Sequence, residues 1–392
     1  MEKNMDLYLF IPIDLKNFDI NKIQTTKTEI GDFLIKQVEL NNKNEFKNDY
    51  VKCLERIEIG KFTFYFQNLC EEGTLAITRH PKTNLGVLSI FIPYLKNDPS
   101  WILSFFIASK FSINDETITE WTNKNHINLI GTAKSLLFSF SPLEEEEMIS
   151  ILACEYSIGK LKGKEFIDAI HTDIAQYKSA KVYCSENVLL ELQNVPINDI
   201  KERITMEAVE IFFMELLLLQ DAAISRICDK ILAELEIENN NPLKTTNTDI
   251  LDVLATELSQ SILFLDFNSF IYPTVRISAE KIAKNFRLDK LFEKYNTYKD
   301  LLESLISIRK NRVEDLETNN MNILLLILTM TQIIPVFIDL FKTIVSRPLA
   351  FEDIVSFISS ITVCFILIFV FRLINKKKKR EYKEKLMNLK IE

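Results

Sequence analysis

The 392-residue chain reads as α+β: an α/β N-terminal part, then long helices, then a two-helix transmembrane hairpin at the C-terminus. Three observations carry that expectation. Short β-rich runs punctuated by proline occupy residues 1–195, helical patterns occupy 196–320, and two uncharged apolar stretches follow. With 47 % hydrophobic and 26 % charged residues, the chain can build a sizeable core, which excludes the disordered, collagenous and disulfide-stapled classes.

In the first part, Leu7–Ile13, Phe62–Phe66, Thr74–Thr78, Leu88–Ile92, Leu136–Phe140 and Val188–Leu192 are the expected strands. Pro12, Pro81, Pro93, Pro99 and Pro142 separate or punctuate them, and Glu144–Met148 and Lys164–Ala169 read as helical. From Ile200 to Glu238 the pattern is one long helix, ended by Asn239-Asn240-Asn241-Pro242. A second helix is expected from Thr248 to about Asn268, and Tyr272-Pro273 breaks the chain after it. A third begins near Ser278, with Leu291, Tyr295, Tyr298, Leu302 and Leu305 forming a coiled-coil-like seam. No Gly or Pro lies between Thr274 and Ile334, so this helix can continue into the first apolar stretch, as a force-transmitting element or as a passive stalk.

Met321–Ile338 is 18 residues without a charge, and the apolar segment extends to Val345. Eighteen residues at ~1.5 Å each reach roughly 27 Å, close to a bilayer's hydrocarbon core. Ile354–Phe371 is a second uncharged 18-mer, and residues 346–353 are too few to form a domain between them. The segments 321–345 and 354–371 are therefore expected to form a membrane hairpin with both chain ends on one side. Lys376, Lys377, Lys378, Lys379 and Arg380 follow the second stretch, and Arg309, Lys310 and Arg312 precede the first. By the positive-inside rule both flanks, and so both termini, face the cytoplasm, which predicts a multi-pass protein of the cytoplasmic (inner) membrane. The N-terminus shows no signal-peptide pattern. Residues 372–392 carry nine basic and three acidic residues, leaving 38 basic against 52 acidic in residues 1–371. An acidic body argues against direct nucleic-acid binding, whereas the basic tail suits anionic lipid headgroups.

At alternating steps of three and four, the first stretch reads Asn322, Leu325, Thr329, Gln332, Val336, Asp339, Thr343: five of seven are polar and all share one helix face. Such a stripe avoids lipid. In several copies it would line a pore, with Asp339 favouring cations and Leu325 and Val336 as constrictions; in a dimer it would act as polar packing glue.

Enzymatic chemistry finds little support. The seven glycines, none after Gly163, form neither a dinucleotide-binding fingerprint nor a phosphate loop. His80, His126 and His171 are scattered, and the six cysteines contain no C-x-x-C, so they read as free thiols rather than a zinc or redox centre.

The entrance Asn319-Asn320-Met321-Asn322, the mid-span Ile334-Pro335 and the run Lys376–Lys379, set in this architecture, resemble the CorA magnesium-transporter family. The resemblance implies a homopentamer whose first span lines a central pore and whose basic tail rings its entrance. The family's Gly-Met-Asn motif, which captures hydrated magnesium at the outer mouth, has no counterpart: its place falls on Ile344-Val345-Ser346. CorA-like proteins lacking that motif occur as effectors of type III CRISPR systems, where a nucleotide second messenger acts on the cytosolic part to open the membrane part. What is implied is a non-enzymatic, nucleotide-gated ion channel of antiviral defence. A divalent-cation transporter with a degenerate selectivity loop and a membrane-tethered scaffold or enzyme are the alternatives.

No resident cofactor is expected, only a regulatory nucleotide or divalent cation. A nucleotide needs cations for phosphate and an aromatic face for its base. Arg79-His80-Pro81-Lys82 is the densest basic turn of the first part, and Trp101, Phe105, Phe106 and Trp121 follow it. That cluster is either the ligand site or an ordinary surface turn beside core tryptophans. Glu144-Glu145-Glu146-Glu147 reads better as a solvated first helical turn than as a metal site.

Overall fold

A computed structural model describes residues 4–16, 18, 25, 27–66, 69–107, 112–113, 116–154, 172–174, 179–240 and 248–346. Within these, the side chains of 64–66, 69, 105, 107, 112–113, 238–240, 248–249, 313, 316, 330–340 and 342–346 are not described. The expected helix Lys164–Ala169, the second apolar stretch and the basic tail fall outside the described residues.

Ten strands form one mixed sheet: β1 (Met5–Asp14), β2 (Glu55–Phe66), β3 (Leu69–His80), β4 (Leu85–Ile92), β5 (Ser112–Ile113), β6 (Glu116–Thr117), β7 (Asn128–Leu129), β8 (Lys134–Ser139), β9 (Ala180–Cys184) and β10 (Val188–Gln193). Their order is β6-β5-β2-β3-β4-β1-β8-β10-β9, with β7 also paired to β1. All pairs are antiparallel except β8 with β10. Each expected strand run lies within or overlaps one of these strands.

Both faces of the sheet are covered. The two-residue period sends Leu7, Leu9, Ile11 and Ile13 of β1 into one core, shared with Ile102, Leu103 and Phe106 of helix α2 (Pro99–Ile107) and Ile149 and Leu152 of α4 (Glu145–Ala153). Tyr8 and Phe10 point the other way, toward α1 (Glu29–Glu45) and α5 (Ile200–Asn240). A short helix α3 (Ile118–Lys124) closes the first face, begun by a Thr117/Glu120 capping box.

Helix α5 has 41 residues and contains neither Gly nor Pro. Its consecutive Leu216, Leu217, Leu218 and Leu219 are all buried, which marks a central rather than a surface helix. Burying each such side chain contributes about 1.5–3 kcal/mol. The packing therefore joins α5 to the sheet, although residue 196 reads in sequence as a domain boundary. The compact unit that contains both extends through residues 1–309, and a second comprises 310–392.

Helix α6 (Thr248–Gln260) stops eight residues before the expected Asn268. Buried Gln220 explains the stop. Its Nε2 donates to the Ser261 carbonyl, and its Oε1 accepts from Leu265 N at 3.2 Å. Those two backbone groups would have bonded each other in a continued helix, so the side chain replaces that turn. Helix α7 (Pro273–Asn285) starts on Pro273, five residues before the expected Ser278. Arg287, left-handed at φ 59°, separates it from α8 (Leu288–Ser346). Leu302 and Leu305 of the expected seam are buried; Leu302, Tyr295 and Tyr298 pack against Ile227, Ile231, Leu251, Leu254 and Leu258.

Helix α8 has 59 residues and continues through Pro335. Met321, Ile323, Leu324, Leu325, Ile327 and Leu328 are all exposed in this chain, as are Asn322 and Thr329. The Thr329 hydroxyl donates to the Leu325 carbonyl at 2.7 Å. Gln332, Val336, Asp339 and Thr343 have no described side chain. Among the described residues, no helix is long and apolar enough to cross a membrane.

Pro12 sits within a central strand, where a missing N–H is normally costly. The register accounts for it: β8 pairs β1 only as far as Phe10, and β7 takes over at Ile13. Between them Gly131 turns at φ 71°, and a Cβ there would stand 2.7 Å from Asp221 Oδ2 and 3.0 Å from Pro12 Cγ. Gly131→Ala is expected to cost about 1–3 kcal/mol through backbone strain and this contact. A lowered denaturation midpoint of the full chain would register it.

Candidate ligand cleft

A cavity of about 290 Å³ opens where β1 ends, the β3–β4 turn crosses, and α5 and α6 approach. Its lining includes Asp14, Lys16, Tyr50, Lys82, Thr83, Asn84, Arg226, Lys230, Glu257, Gln260 and Phe264.

The aromatic wall is built from three distant segments. The Tyr50 ring lies 4.6 Å from that of His80 and 5.1 Å from that of Phe264, and His80 and Phe264 are 5.1 Å apart, measured between centroids. His80 is fully buried. Its Nε2 is 3.0 Å from the Tyr50 carbonyl, which only accepts, so this nitrogen carries the proton. Its Nδ1, 2.9 Å away, then accepts from the Thr83 hydroxyl. Burial depresses the His80 pKa, keeping this ring neutral at neutral pH. The turn itself is pinned by Asn84 in the left-handed region, whose N–H donates to His80 O at 2.9 Å.

The cations are of two kinds. Arg226 donates to the Thr83 carbonyl at 2.7 Å and stands 3.7 Å from Asp14, while Lys230 pairs with Glu257. Lys16 and Lys82 make no ion pair among the described residues. The Tyr50 hydroxyl is enclosed at the same site without a hydrogen-bond partner. Desolvation, with Cys53 nearby, raises its pKa, so it remains a neutral donor. An excess of cations around an aromatic-walled cleft is a place for an anionic ligand.

Of the sequence candidates, Lys82 lines this cleft and His80 backs it. Arg79 does not belong to it, because adjacent strand residues face opposite sides of a sheet. It pairs instead with Glu55 at 2.6 Å, its cross-strand neighbour. Trp101 and Trp121 lie on α2 and α3; Trp121 and the α2 residues Ile102, Leu103 and Phe106 pack in the core on the opposite face, so neither tryptophan helps form the cleft. Tyr50, Phe264, Arg226 and Lys230 were not singled out from sequence. Only the spacing of Arg226 and Lys230, one helical turn apart, hinted at a shared basic face. Glu144 and Glu147 form the capping box of α4. Cys53, Cys70, Cys154, Cys184 and Cys228 are free thiols, and Cys364 lies outside the described residues.

No protein-family model, curated protein or solved structure matches the chain.

Proposed function

We propose that the chain is a non-enzymatic, homo-oligomeric membrane channel of CorA-like build, opened by a nucleotide second messenger in type III CRISPR antiviral defence. The carrying observation is that α8 is a single 59-residue helix on which Met321, Ile323, Leu324, Leu325, Ile327 and Leu328 stand exposed among the described residues. An apolar segment of this kind calls for lipid or further copies as cover. The second uncharged stretch and the basic run after it extend the same reading to a hairpin with cytoplasmic ends.

The aromatic-walled cleft supplies what a nucleotide requires. Tyr50 and Phe264 offer apolar surface, and Lys16 and Lys82 offer cations with no ion pair among the described residues. A volume near 290 Å³ stands at the small end of ligand pockets, ~300–1,000 Å³, and suits one nucleotide unit.

Ion flux from liposomes holding the purified full chain tests this, with and without a panel of nucleotide second messengers. Flux is expected only with one nucleotide. Lys82→Glu, at an exposed position, is expected to raise the half-activating concentration about ten- to a hundredfold, the weight of a charge-assisted phosphate contact. Magnesium flux without nucleotide would instead return the protein to the transporter class, and silence throughout would remove the channel reading.

A further inference from the structure

We infer that the elbow between α7 and α8 is a second binding site, for a small dianionic phosphate, either the free ion or a phosphomonoester. A cavity of about 300 Å³ lies there, and Lys134, Arg287, Lys290, Lys294, Glu186 and Asp221 supply its charges. This site shares no lining residue with the aromatic-walled cleft.

The charges within it do not balance. Asp221 is already engaged: one oxygen accepts from Thr132 N at 3.2 Å, the other from the Ser225 hydroxyl at 3.4 Å. Glu186 pairs with Arg287 at 2.9 Å. Lys134, buried, gives two of its three donors to the Glu186 carbonyl (2.6 Å) and Asn187 Oδ1 (3.2 Å), with its ammonium 5.3 Å from the Phe286 ring centroid. Four cations thus face two carboxylates, an excess of two, which a phosphate dianion would cancel.

The arrangement also carries a cost without an anion. Lys290 and Lys294 stand one turn apart on one face at the start of α8, and Arg287 precedes its first residue. Like charges so placed repel each other and destabilise a helix. Lys290 and Lys294 form no ion pair among the described residues. Arg287 is held left-handed at this point, so its planar fork starts from a fixed elbow. A fork and two point charges around one small cavity fit a tetrahedral, multiply charged oxyanion better than a carboxylate.

Equilibrium dialysis of the full chain against labelled inorganic phosphate, and separately against glycerol phosphate, tests the site. Saturable binding is expected for at least one; tighter binding of the first identifies the free ion as ligand, and of the second the monoester. Lys290→Gln/Lys294→Gln is expected to weaken binding at least tenfold, with Lys299→Gln, an exposed control further along α8, unchanged. Lys82→Glu should leave it unchanged too, which separates this site from the nucleotide reading. No saturable binding of either probe overturns the inference. So does equal loss in Lys299→Gln, or loss in Lys82→Glu with the double variant unaffected.

Discussion

Replacing Arg203 by methionine is expected to lower stability by about 3–5 kcal/mol, the usual cost of breaking a buried ion pair from one side. Arg203 and Asp6 are both fully buried and 2.6 Å apart. The guanidinium also donates to Asn4 Oδ1 at 2.8 Å and lies between aromatic faces, 4.1 Å from Phe140 and 4.6 Å from Tyr94. Glu207, one turn further along α5, accepts from the Tyr8 hydroxyl at 2.7 Å. Burial, then the neighbouring Asp6, holds Glu207 well above the usual carboxylate range, so it remains a neutral acid. Burial also raises the Asp6 carboxyl, and the Arg203 guanidinium opposes that rise by favouring its charged form; among the described residues Asp6 pairs with no other cation. Pairing Arg203→Met with Asp6→Asn should recover part of the loss, because the stranded charge disappears. Denaturation midpoints of the four proteins would settle this. Additive single effects would mean that Asp6 and Arg203 do not act as a unit.

This network shows how far a sequence can be read. Alternation along β1 places Leu7, Leu9 and Ile11 on one face, and the same alternation puts Asp6, Tyr8 and Phe10 together on the other. Likewise Arg203 and Glu207 share a face of α5 by their four-residue spacing. What the pattern does not contain is that these two faces meet, since that depends on how α5 crosses the sheet. The long helix itself was legible because nothing interrupts its residues. Helix α1 was not: its last turn carries Asn41, Asn42 and Asn44, poor helix formers, and few of its residues are buried. Its buried Asn42 is engaged only through tertiary structure, its Nδ2 donating to the Val51 carbonyl at 3.3 Å while its Oδ1 has no partner among the described residues. The elbow at Arg287 was hidden for a related reason. Glycine is the ordinary signal for a left-handed residue, and here an arginine takes that conformation. The ligand cleft combines both problems, since Lys82 announced itself in a turn while Tyr50 and Phe264 arrive from segments with no local mark of function.

Alkaline conditions are expected to weaken the α/β unit, and Glu210→Gln to remove much of that weakness. Burial pushes the Glu210 carboxyl up to about 7, helped by Glu45. Glu191, buried on β10, is raised well above the ordinary range by desolvation and by Glu210 itself. Such groups bind protons more tightly folded than unfolded. Their contribution is therefore fully present below the unfolded pKa, near 4.5, and is lost as pH rises through the folded value. A shift from 4.5 to about 7, at ~1.4 kcal/mol per unit, corresponds to about 3 kcal/mol lost between pH 5 and pH 8. His80 works from the other side. Its depressed pKa favours the neutral ring, so its contribution is present above its unfolded value, near 6.5, and is lost as pH falls from there through the lower folded value. A glutamine at 210 keeps the shape and hydrogen-bonding capacity of the neutral acid but cannot ionise. Denaturation midpoints between pH 5 and pH 8 should fall for the parent and fall much less for Glu210→Gln, which becomes the more stable protein above pH 7. An identical slope in both would place the alkaline weakness elsewhere, with Glu191 and Glu207 as the remaining buried acids.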